Sequence, residues 1–219
     1  MAAPEPHSRE WYALQARERG GYFQPWKRTL DGPEPETTFT SLLESLLGPE
    51  TRVLEAGCGH GPDAARYASR AARWASYDRQ PELLALARVN APQADFSLWD
   101  GRGPVPADLR GPFDLLCSRR GPTSLIPHLP TLAAQGARFL YVGPEMDVPQ
   151  VRTRLEGASW AILGEWRERV RGWLPTYEDY RLRCEFMNAV PDEALWRREA
   201  AERGLLYFEE RYTVLAAAE

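Results

Sequence analysis

A glycine-rich turn carries the strongest chemical signal in the chain. A short apolar run ends in the acidic residue Glu55, and three glycines follow at alternate positions: Gly57, Gly59 and Gly61. Glycines in such a turn accept positive φ angles and let a ligand approach bare backbone. Pro62 then stands where a helix can begin, because the first helical residues need no N–H partner. The pattern predicts a buried strand, a ligand-binding turn and a helix.

The spacing of these glycines limits the ligand. The dinucleotide fingerprint is GxGxxG, with a pyrophosphate at the helix N-terminus, whereas this turn has GxGxG. A carboxylate two positions before the first glycine would repel a pyrophosphate and suits a cationic or amino-bearing ligand. A nicotinamide dinucleotide and a glycine turn without a ligand are the alternatives that remain.

A regular alternation of strands and helices positions this turn. Strands are predicted at 52–55, 73–77, 94–98, 113–117 and 137–142, with helices at 37–47, 63–71, 81–90 and 127–135. Strands that alternate with helices in this way imply βαβ units and a parallel sheet. Ligands bind such sheets outside the carboxyl ends of the strands, which is where the turn lies.

The two ends of the chain are less regular. Residues 1–36 are rich in proline and aromatic residues, which predicts a helix at 10–19 and then an arm packed on the main domain. We expect one domain over 37–219, with 144–190 as a substrate-side insertion. Helices are predicted at 148–155, 177–188 and 192–203, and a closing strand at 206–216. Residues 160–173 fit a helix or a strand, and we favour the strand because Gly164 and Gly172 flank Trp and β-branched residues.

Residues 53–61 resemble motif I of class I S-adenosylmethionine (SAM)-dependent methyltransferases. Later residues agree in order: Asp78 ends the second predicted strand, Asp100 follows the third, and residues 113–118 resemble the fourth-strand motif. The resemblance covers residues 51–143 well and the rest weakly. It implies an α/β fold with a doubly wound, mostly parallel seven-stranded sheet in the order 3-2-1-4-5-7-6. Helices on both faces, an N-terminal arm and a C-terminal helical insertion complete the implied architecture.

The resemblance also implies a cofactor, SAM, with S-adenosylhomocysteine as its product and no metal. Asp78 matches the family's ribose-binding residue, and two acceptor oxygens suit a vicinal diol. Asp100 matches the adenine-contacting aspartate. The implied cofactor-binding residues are Glu55, Gly57, Cys58, Gly59, Gly61, Asp78, Arg79, Trp99, Asp100 and Ser118. Cys58 is expected to be a small buried loop residue, since the sequence indicates no partner that would make it a nucleophile.

The acceptor side is less defined, and no catalytic residue is identified. After the fourth strand the chain reads Ser-Arg-Arg-Gly-Pro, without the Asn/Asp-Pro-Pro-Tyr/Phe run of methyltransferases that act on DNA amino groups. Arg119 and Arg120 either bind a carboxylate or phosphate or are solvated loop charges. The substrate candidates are Tyr22, Trp26, Arg119, Arg120, Tyr177 and Tyr180, with plain packing as the alternative for Tyr177 and Tyr180.

Composition argues against several other classes. The 219 residues carry a net charge of −4, which disfavours broad electrostatic binding to nucleic acid. The three cysteines are far apart and lack CxxC spacing, so neither a zinc site nor a disulfide framework is indicated and a cytoplasmic location fits. No apolar run reaches the length of a membrane span, and the N-terminus lacks a signal-peptide pattern.

Three functional hypotheses follow. The first is a SAM-dependent methyltransferase that acts on a small molecule, as a monomer or homodimer. The second is an RNA or protein methyltransferase, for which the alternating Arg167, Arg169 and Arg171 would supply a basic surface. The third is a SAM-binding protein without catalysis.

Overall fold

A mixed sheet forms the centre of the protein. The computed structural model describes residues 4–218, and within them the sheet has eight strands. The strands are β1 (Thr29–Leu30), β2 (Arg52–Ala56), β3 (Arg73–Asp78), β4 (Asp95–Leu98), β5 (Phe113–Arg119), β6 (Ala133–Gly143), β7 (Trp160–Leu174) and β8 (Leu205–Ala218). The helices are α1 (Arg9–Arg19), α2 (Thr37–Leu46), α3 (Pro62–Tyr67), α4 (Pro81–Asn90), α5 (Leu129–Leu132), α6 (Val148–Gly157), α7 (Tyr177–Phe186) and α8 (Glu193–Glu199).

The strand order is β1-β7-β8-β6-β5-β2-β3-β4. Counted from β2, the seven long strands have the order 3-2-1-4-5-7-6 that the sequence predicts. Strands β2 to β6 are parallel, and β8 inserts antiparallel between β6 and β7. The expected number of strands was wrong by one, because the two residues of β1 pair antiparallel with β7 through Thr29 and Trp173.

Apolar side chains cover both faces of the sheet. Successive residues of β2, Val53 and Leu54, point to opposite cores, as the two-residue period of a strand requires. One core lies under α2 and α3, and the other lies under α5 and α6. Because both faces are buried, the strands are nearly continuous in apolar residues.

Several predicted helices were too long at their C-terminal ends, and the one predicted at 63–71 ends at Tyr67. Residues 133–135 belong to β6, because Ala133 pairs with Phe113 of β5 and tertiary pairing overrides local preference. The helix predicted at 192–203 ends at Glu199. The segment that fitted either state is a strand, β7, paired with β8 from Trp160 to Leu174. The predicted C-terminal insertion therefore contains a long strand as well as helices.

The N-terminal arm, residues 4–36, lies over the carboxyl ends of the parallel strands. Ser8 caps α1 by accepting from the Trp11 N–H, and Gly20 ends the helix in a left-handed conformation. Helix α1 packs on α4.

Met1–Ala3 and Glu219, which belong to the predicted arm and domain, lie outside the described residues. In the described part of the chain no helix has the length and apolar character that crossing a membrane would need.

Candidate functional site

A cavity of about 530 Å³ opens at the carboxyl ends of the parallel strands. Eight of the ten predicted cofactor residues line it: Glu55, Gly57, Cys58, Gly59, Asp78, Arg79, Trp99 and Asp100. The arm contributes Tyr12 and Tyr22, and helix α6 contributes Gln150 and Arg154. The cavity therefore lies where open α/β sheets bind ligands.

The three motif glycines lie in three different environments. All have positive φ, and a Cβ at Gly57 would overlap Pro122. A Cβ at Gly59 would meet nothing within 4 Å, and Gly59 lines the cavity. Gly61 does not line the cavity. It packs against α4, where a Cβ added to it would come within 3.1 Å of Ala87 Cβ. Gly59 thus leaves a cradle of bare backbone open to a ligand.

Asp78 is held in place by backbone amides. Its Oδ2 accepts a hydrogen bond from the Gly59 N–H at 2.9 Å, and its Oδ1 accepts from the Gln80 N–H at 2.9 Å. Each oxygen keeps a second lone pair. Burial raises the pKa of Asp78 overall, although these two amides act to lower it. A fixed carboxylate with two free lone pairs suits a vicinal diol.

Glu55 is a buried acid rather than a free anion. Its Oε2 accepts hydrogen bonds at 2.9 Å from Trp74 Nε1 and from Ser76 Oγ. Burial, together with the nearby Asp63, raises the pKa of Glu55 to about 8. The side chain is therefore mainly protonated at neutral pH, and a cation placed beside it would favour its ionised form.

An unpaired hydroxyl lies in the cavity lining together with Trp99 and with Asp100, the predicted adenine residue. Trp99 is buried, and its Nε1 donates to the Arg102 carbonyl at 2.7 Å. Its ring lies 4.7 Å from the ring of Tyr77. The Tyr77 hydroxyl is buried at the cavity wall and has no hydrogen-bond partner among residues 4–218. Asp100 is exposed and accepts the Arg102 N–H at 3.0 Å.

The arm is fastened over the glycine turn. The Tyr22 N–H donates to His60 Nδ1 at 3.3 Å, so this nitrogen carries no proton. Arg79 Nη2 donates to the His7 carbonyl at 2.9 Å, and the Arg79 guanidinium lies 5.3 Å from the Tyr12 ring centre. These contacts place two tyrosine rings at the cavity.

Arg119 is tied into a buried ion-pair network. Its Nε lies 2.8 Å from an Asp63 oxygen and its Nη1 lies 3.0 Å from a Glu36 oxygen. Its guanidinium sits 4.4 Å from the Phe39 ring centre. Burial acts to lower the pKa of Arg119, but Asp63 and Glu36 raise it overall. Arg120 also pairs with Glu36, at 3.1 Å. Neither arginine is simply a solvated loop charge.

Several predicted residues lie away from the cavity. Ser118 is fully buried, and its Oγ donates to the Ala56 carbonyl at 3.4 Å. Trp26, Tyr177 and Tyr180 belong to a separate packed cluster with α7 and α8. Tyr177 and Tyr180 therefore have the packing role that was their alternative, and Trp26, a substrate candidate, packs in the same cluster instead of lining the cavity.

Some cavity residues were missed by sequence reasoning. Tyr77 directly precedes Asp78, and its position at the end of a predicted strand was a usable signal. Tyr12, Gln150 and Arg154 come from helices whose orientation over the sheet no local pattern fixes.

The predicted basic surface on β7 is neutralised by acidic neighbours. Arg167 pairs with Glu145 at 2.9 Å, and Arg169 pairs with Glu210 at 2.7 Å. Arg171 lies 3.6 Å from Asp31. A strand with balanced charges next to the sheet edge fits these contacts better than a nucleic-acid surface. Residues 4–218 contain no group of three or more His, Cys, Asp or Glu side chains placed to hold a metal.

Comparison with known proteins identifies a close relative. The chain is 56% identical to a functionally unknown protein from Deinococcus radiodurans R1 whose crystal structure is known, with a TM-score of 0.88 over 94% of this chain and 98% of that chain. The chain belongs to the same family as that protein. No family model matches the chain, and no curated protein matches it.

More distant structures share the fold of this family. A candidate methyltransferase from Bacillus halodurans C-125 has a TM-score of 0.61 at 16% identity, over 83% of this chain and 98% of that chain. The cyclase SpnF has a TM-score of 0.60 at 15% identity, over 99% and 98%. The family therefore has the class I methyltransferase fold. Since a cyclase shares it, the fold alone does not decide the reaction.

Proposed function

We propose that this protein binds SAM in the cavity and transfers its methyl group to a small-molecule acceptor. The observation that carries the proposal is the Asp78 carboxylate, fixed by two backbone amides beside the open cradle of Gly59. A cytoplasmic location is part of the proposal. The three cysteines are free and buried, as suits a reducing compartment.

Residues at the cavity offer partners to three parts of the cofactor. Asp78 would accept from the ribose diol, and the unpaired Tyr77 hydroxyl would donate to the nucleoside. Glu55, which a cation would help to ionise, is available to the amino group of the methionine part. The bound cofactor would supply a methyl group on a positively charged sulfur, which a nucleophile can displace.

The protein's own contribution is to orient the reactants and to exclude water. The arm places the rings of Tyr12 and Tyr22 at the cavity, and aromatic faces stabilise nearby cations. Glu55 is held by Trp74 and Ser76 and would be engaged by the cofactor's amino group, so it is poorly suited to act as a general base. We therefore expect an acceptor that needs no strong base.

Calorimetry with S-adenosylhomocysteine, NADH and ATP in parallel tests the cofactor. We expect S-adenosylhomocysteine to bind most tightly, and binding of NADH alone would overturn the proposal. Formation of S-adenosylhomocysteine from SAM with a low-molecular-weight cell extract then separates an enzyme from a SAM-binding protein without catalysis.

Replacing Asp78 tests the carrying observation. Asp78→Ala removes the diol acceptor, so we expect S-adenosylhomocysteine binding to weaken by about 1–3 kcal/mol, the range for hydrogen bonds to charged groups. Asp78→Asn should show a smaller loss because it keeps one acceptor oxygen. Asp95→Asn is the matched control, since Asp95 is exposed at the other end of the sheet and pairs with Arg73. Equal affinity of the Asp78→Ala variant and the wild type would refute the assignment.

A further inference from the structure

One wall of the cavity has an unbalanced charge. Residues 119–124, with Gln150 and Arg154 of α6, line the cavity beyond the carboxyl ends of β5 and β6. We call these residues the acceptor wall. It contains three arginines and no acidic residue, in a chain whose net charge is −4. Arg119 is neutralised by Asp63 and Glu36, which leaves Arg120 and Arg154 to be explained.

Arg154 is a half-buried guanidinium without a carboxylate partner. No acidic side chain within residues 4–218 forms an ion pair with it, whereas its Nη1 donates to Thr123 Oγ1. Thr123 is buried and donates in turn to Gln150 Oε1 at 2.9 Å. This relay fixes the guanidinium at the wall, and its remaining N–H groups are free for a ligand. Sheltering an unpaired charge from water is unfavourable unless an opposite charge binds it.

Arg120 is only partly neutralised. Its partner Glu36, at 3.1 Å, is shared with Arg119 at 3.0 Å and with Arg211 at 3.4 Å. One carboxylate therefore serves three guanidinium groups. Arg120 also has a φ of +53°, in the left-handed region, and its N–H donates to the Val142 carbonyl at 2.7 Å. Strained residues of this kind are held in place by their surroundings and cluster at functional sites.

Four carboxyl side chains also line the cavity, those of Glu55, Asp63, Asp78 and Asp100. None of them forms an ion pair with Arg120 or Arg154, since Asp63 pairs with Arg119 and the other three lie on the side proposed for the cofactor. Burial, followed by the nearby Tyr12, raises the pKa of Tyr22 to about 12, so this phenol stays neutral. Glu55 is held by Trp74 and Ser76 and is the proposed partner of the cofactor's amino group, so it is not available to the two arginines. A cationic acceptor would be repelled here, and an anion would be attracted.

We propose that the methyl acceptor is a small molecule with a carboxylate or phosphate group, which Arg154 and Arg120 bind at the acceptor wall. The inference rests on the proposed function, because it names the substrate class of the same cavity. Guanidinium groups suit either oxyanion, since their planar donor fork matches both.

Calorimetry with three matched probes tests the site. Benzoate and phenyl phosphate carry the two oxyanions, and benzamide is the neutral counterpart of benzoate. Each probe is titrated into the protein with and without saturating S-adenosylhomocysteine. We expect at least one anion to bind ten times more tightly than benzamide, and the tighter of the two anions identifies the group.

Variants then assign the binding to the two arginines. Arg154→Gln and Arg120→Gln should each weaken binding of the preferred anion about tenfold, and Arg154→Lys should restore part of it. The control Arg198→Gln, on the exposed surface of α8, should leave the affinity unchanged. Circular dichroism melting shows whether each variant is folded, and if Arg154→Gln is not, the comparison rests on Arg120→Gln and Arg154→Lys.

The outcomes separate this inference from the proposed function. The inference is wrong if neither anion binds more tightly than benzamide, or if the folded arginine variants bind the preferred anion like the wild type. Failure of S-adenosylhomocysteine to bind the wild type would instead refute the proposed function, and the titrations without it would still measure the anion site.

Discussion

At the scale of single residues, burial decides what the glycine turn can do chemically. The sequence places an acidic residue, Glu55, two positions before the first glycine. The fold buries it, so that only 4% of the residue is exposed, and gives it two hydrogen-bond donors. The resulting acid is neutral near pH 7 and becomes an anion when a cation is beside it. Its charge therefore depends on the ligand.

This protonation state predicts a pH dependence of stability. The pKa of Glu55 in the folded protein, about 8, lies above its ordinary value of 4.5. The folded state therefore holds an extra proton between these values, and stability falls as pH rises from about 5 to above 8, by at most about 1.4 kcal/mol per pH unit. Glu55→Gln keeps an acceptor for Trp74 and should remove this slope.

Urea unfolding at pH 5.5, 7 and 8.5 measures the effect. Glu50→Gln, an exposed position, should retain the slope of the wild type. Parallel pH profiles for the wild type and the Glu55→Gln variant would contradict the prediction.

Residue types and spacing were sufficient to predict the cavity side chains that end or follow strands. Asp78 and Gly59 lie at the cavity because parallel strands bring their carboxyl ends to one edge. The protonation of Glu55 and the neutralisation of Arg119 could not be predicted in this way. They depend on burial and on partners such as Glu36, which is 83 positions away from Arg119.

At the scale of elements, a few hydrogen bonds hold the arm against the residues around the cavity. One of them is the hydrogen bond from the Tyr22 N–H to His60 Nδ1. The ring of Phe23 lies 4.9 Å from the His60 ring, which adds an apolar contact at the same place. Burial lowers the pKa of His60, so the neutral form that accepts this bond is favoured.

Acid should therefore loosen the arm. A base whose pKa is lowered on folding stabilises the folded form fully above its ordinary value of 6.5, and this contribution is lost as pH falls through the lowered pKa. We expect hydrogen-exchange protection of residues 8–22, corrected for intrinsic rates, to fall about fivefold between pH 7.5 and 5, the scale of one hydrogen bond.

Two histidine variants control this experiment. His60→Leu can neither accept the bond nor titrate, so its arm should be poorly protected at both pH values. His128→Gln, which lies beside Trp99 rather than the arm, should behave like the wild type. Protection that is independent of pH in the wild type would exclude this role of His60.

Elements with strong local signals were predictable, and the others depend on distant pairing. Helix α7 begins where Thr176 accepts from the Asp179 N–H, an N-cap signal visible in the sequence. The start of β6 has no such signal, because residues 133–135 become a strand through contact with β5. Trp26 and Tyr180 were misplaced because no local pattern shows that the arm and α7 share a separate core.

At the scale of the whole molecule, one carboxylate joins elements that are far apart in sequence. Glu36, just before α2, pairs with Arg119 at the end of β5, with Arg120, and with Arg211 of β8. Burial acts to raise the pKa of Glu36, but Arg120 and Arg119 lower it overall. The Glu36 side chain is 12% exposed, so these pairs are largely sheltered from water.

Removing this carboxylate should be strongly destabilising. Glu36→Gln leaves three neighbouring guanidinium groups without their shared partner, and we expect the free energy of unfolding to fall by about 3 kcal/mol. Glu34→Gln is the matched control two residues away, because Glu34 is 61% exposed and its loss should cost less than about 1 kcal/mol. Denaturant unfolding of both variants tests the difference. Equal changes in the free energy of unfolding would show that the Glu36 network does not stabilise the fold more than an exposed ion pair does.

The pairing of β1 with β7 has a consequence for the order in which the protein matures on the ribosome. Thr29 pairs with Trp173, and His7 Nε2 lies 2.9 Å from the Phe186 carbonyl. The arm can therefore take its place only after residue 186 has emerged. Until then the glycine turn of the nascent chain stays uncovered by the arm, although the residues that line the cavity, up to Arg154, have already been synthesised.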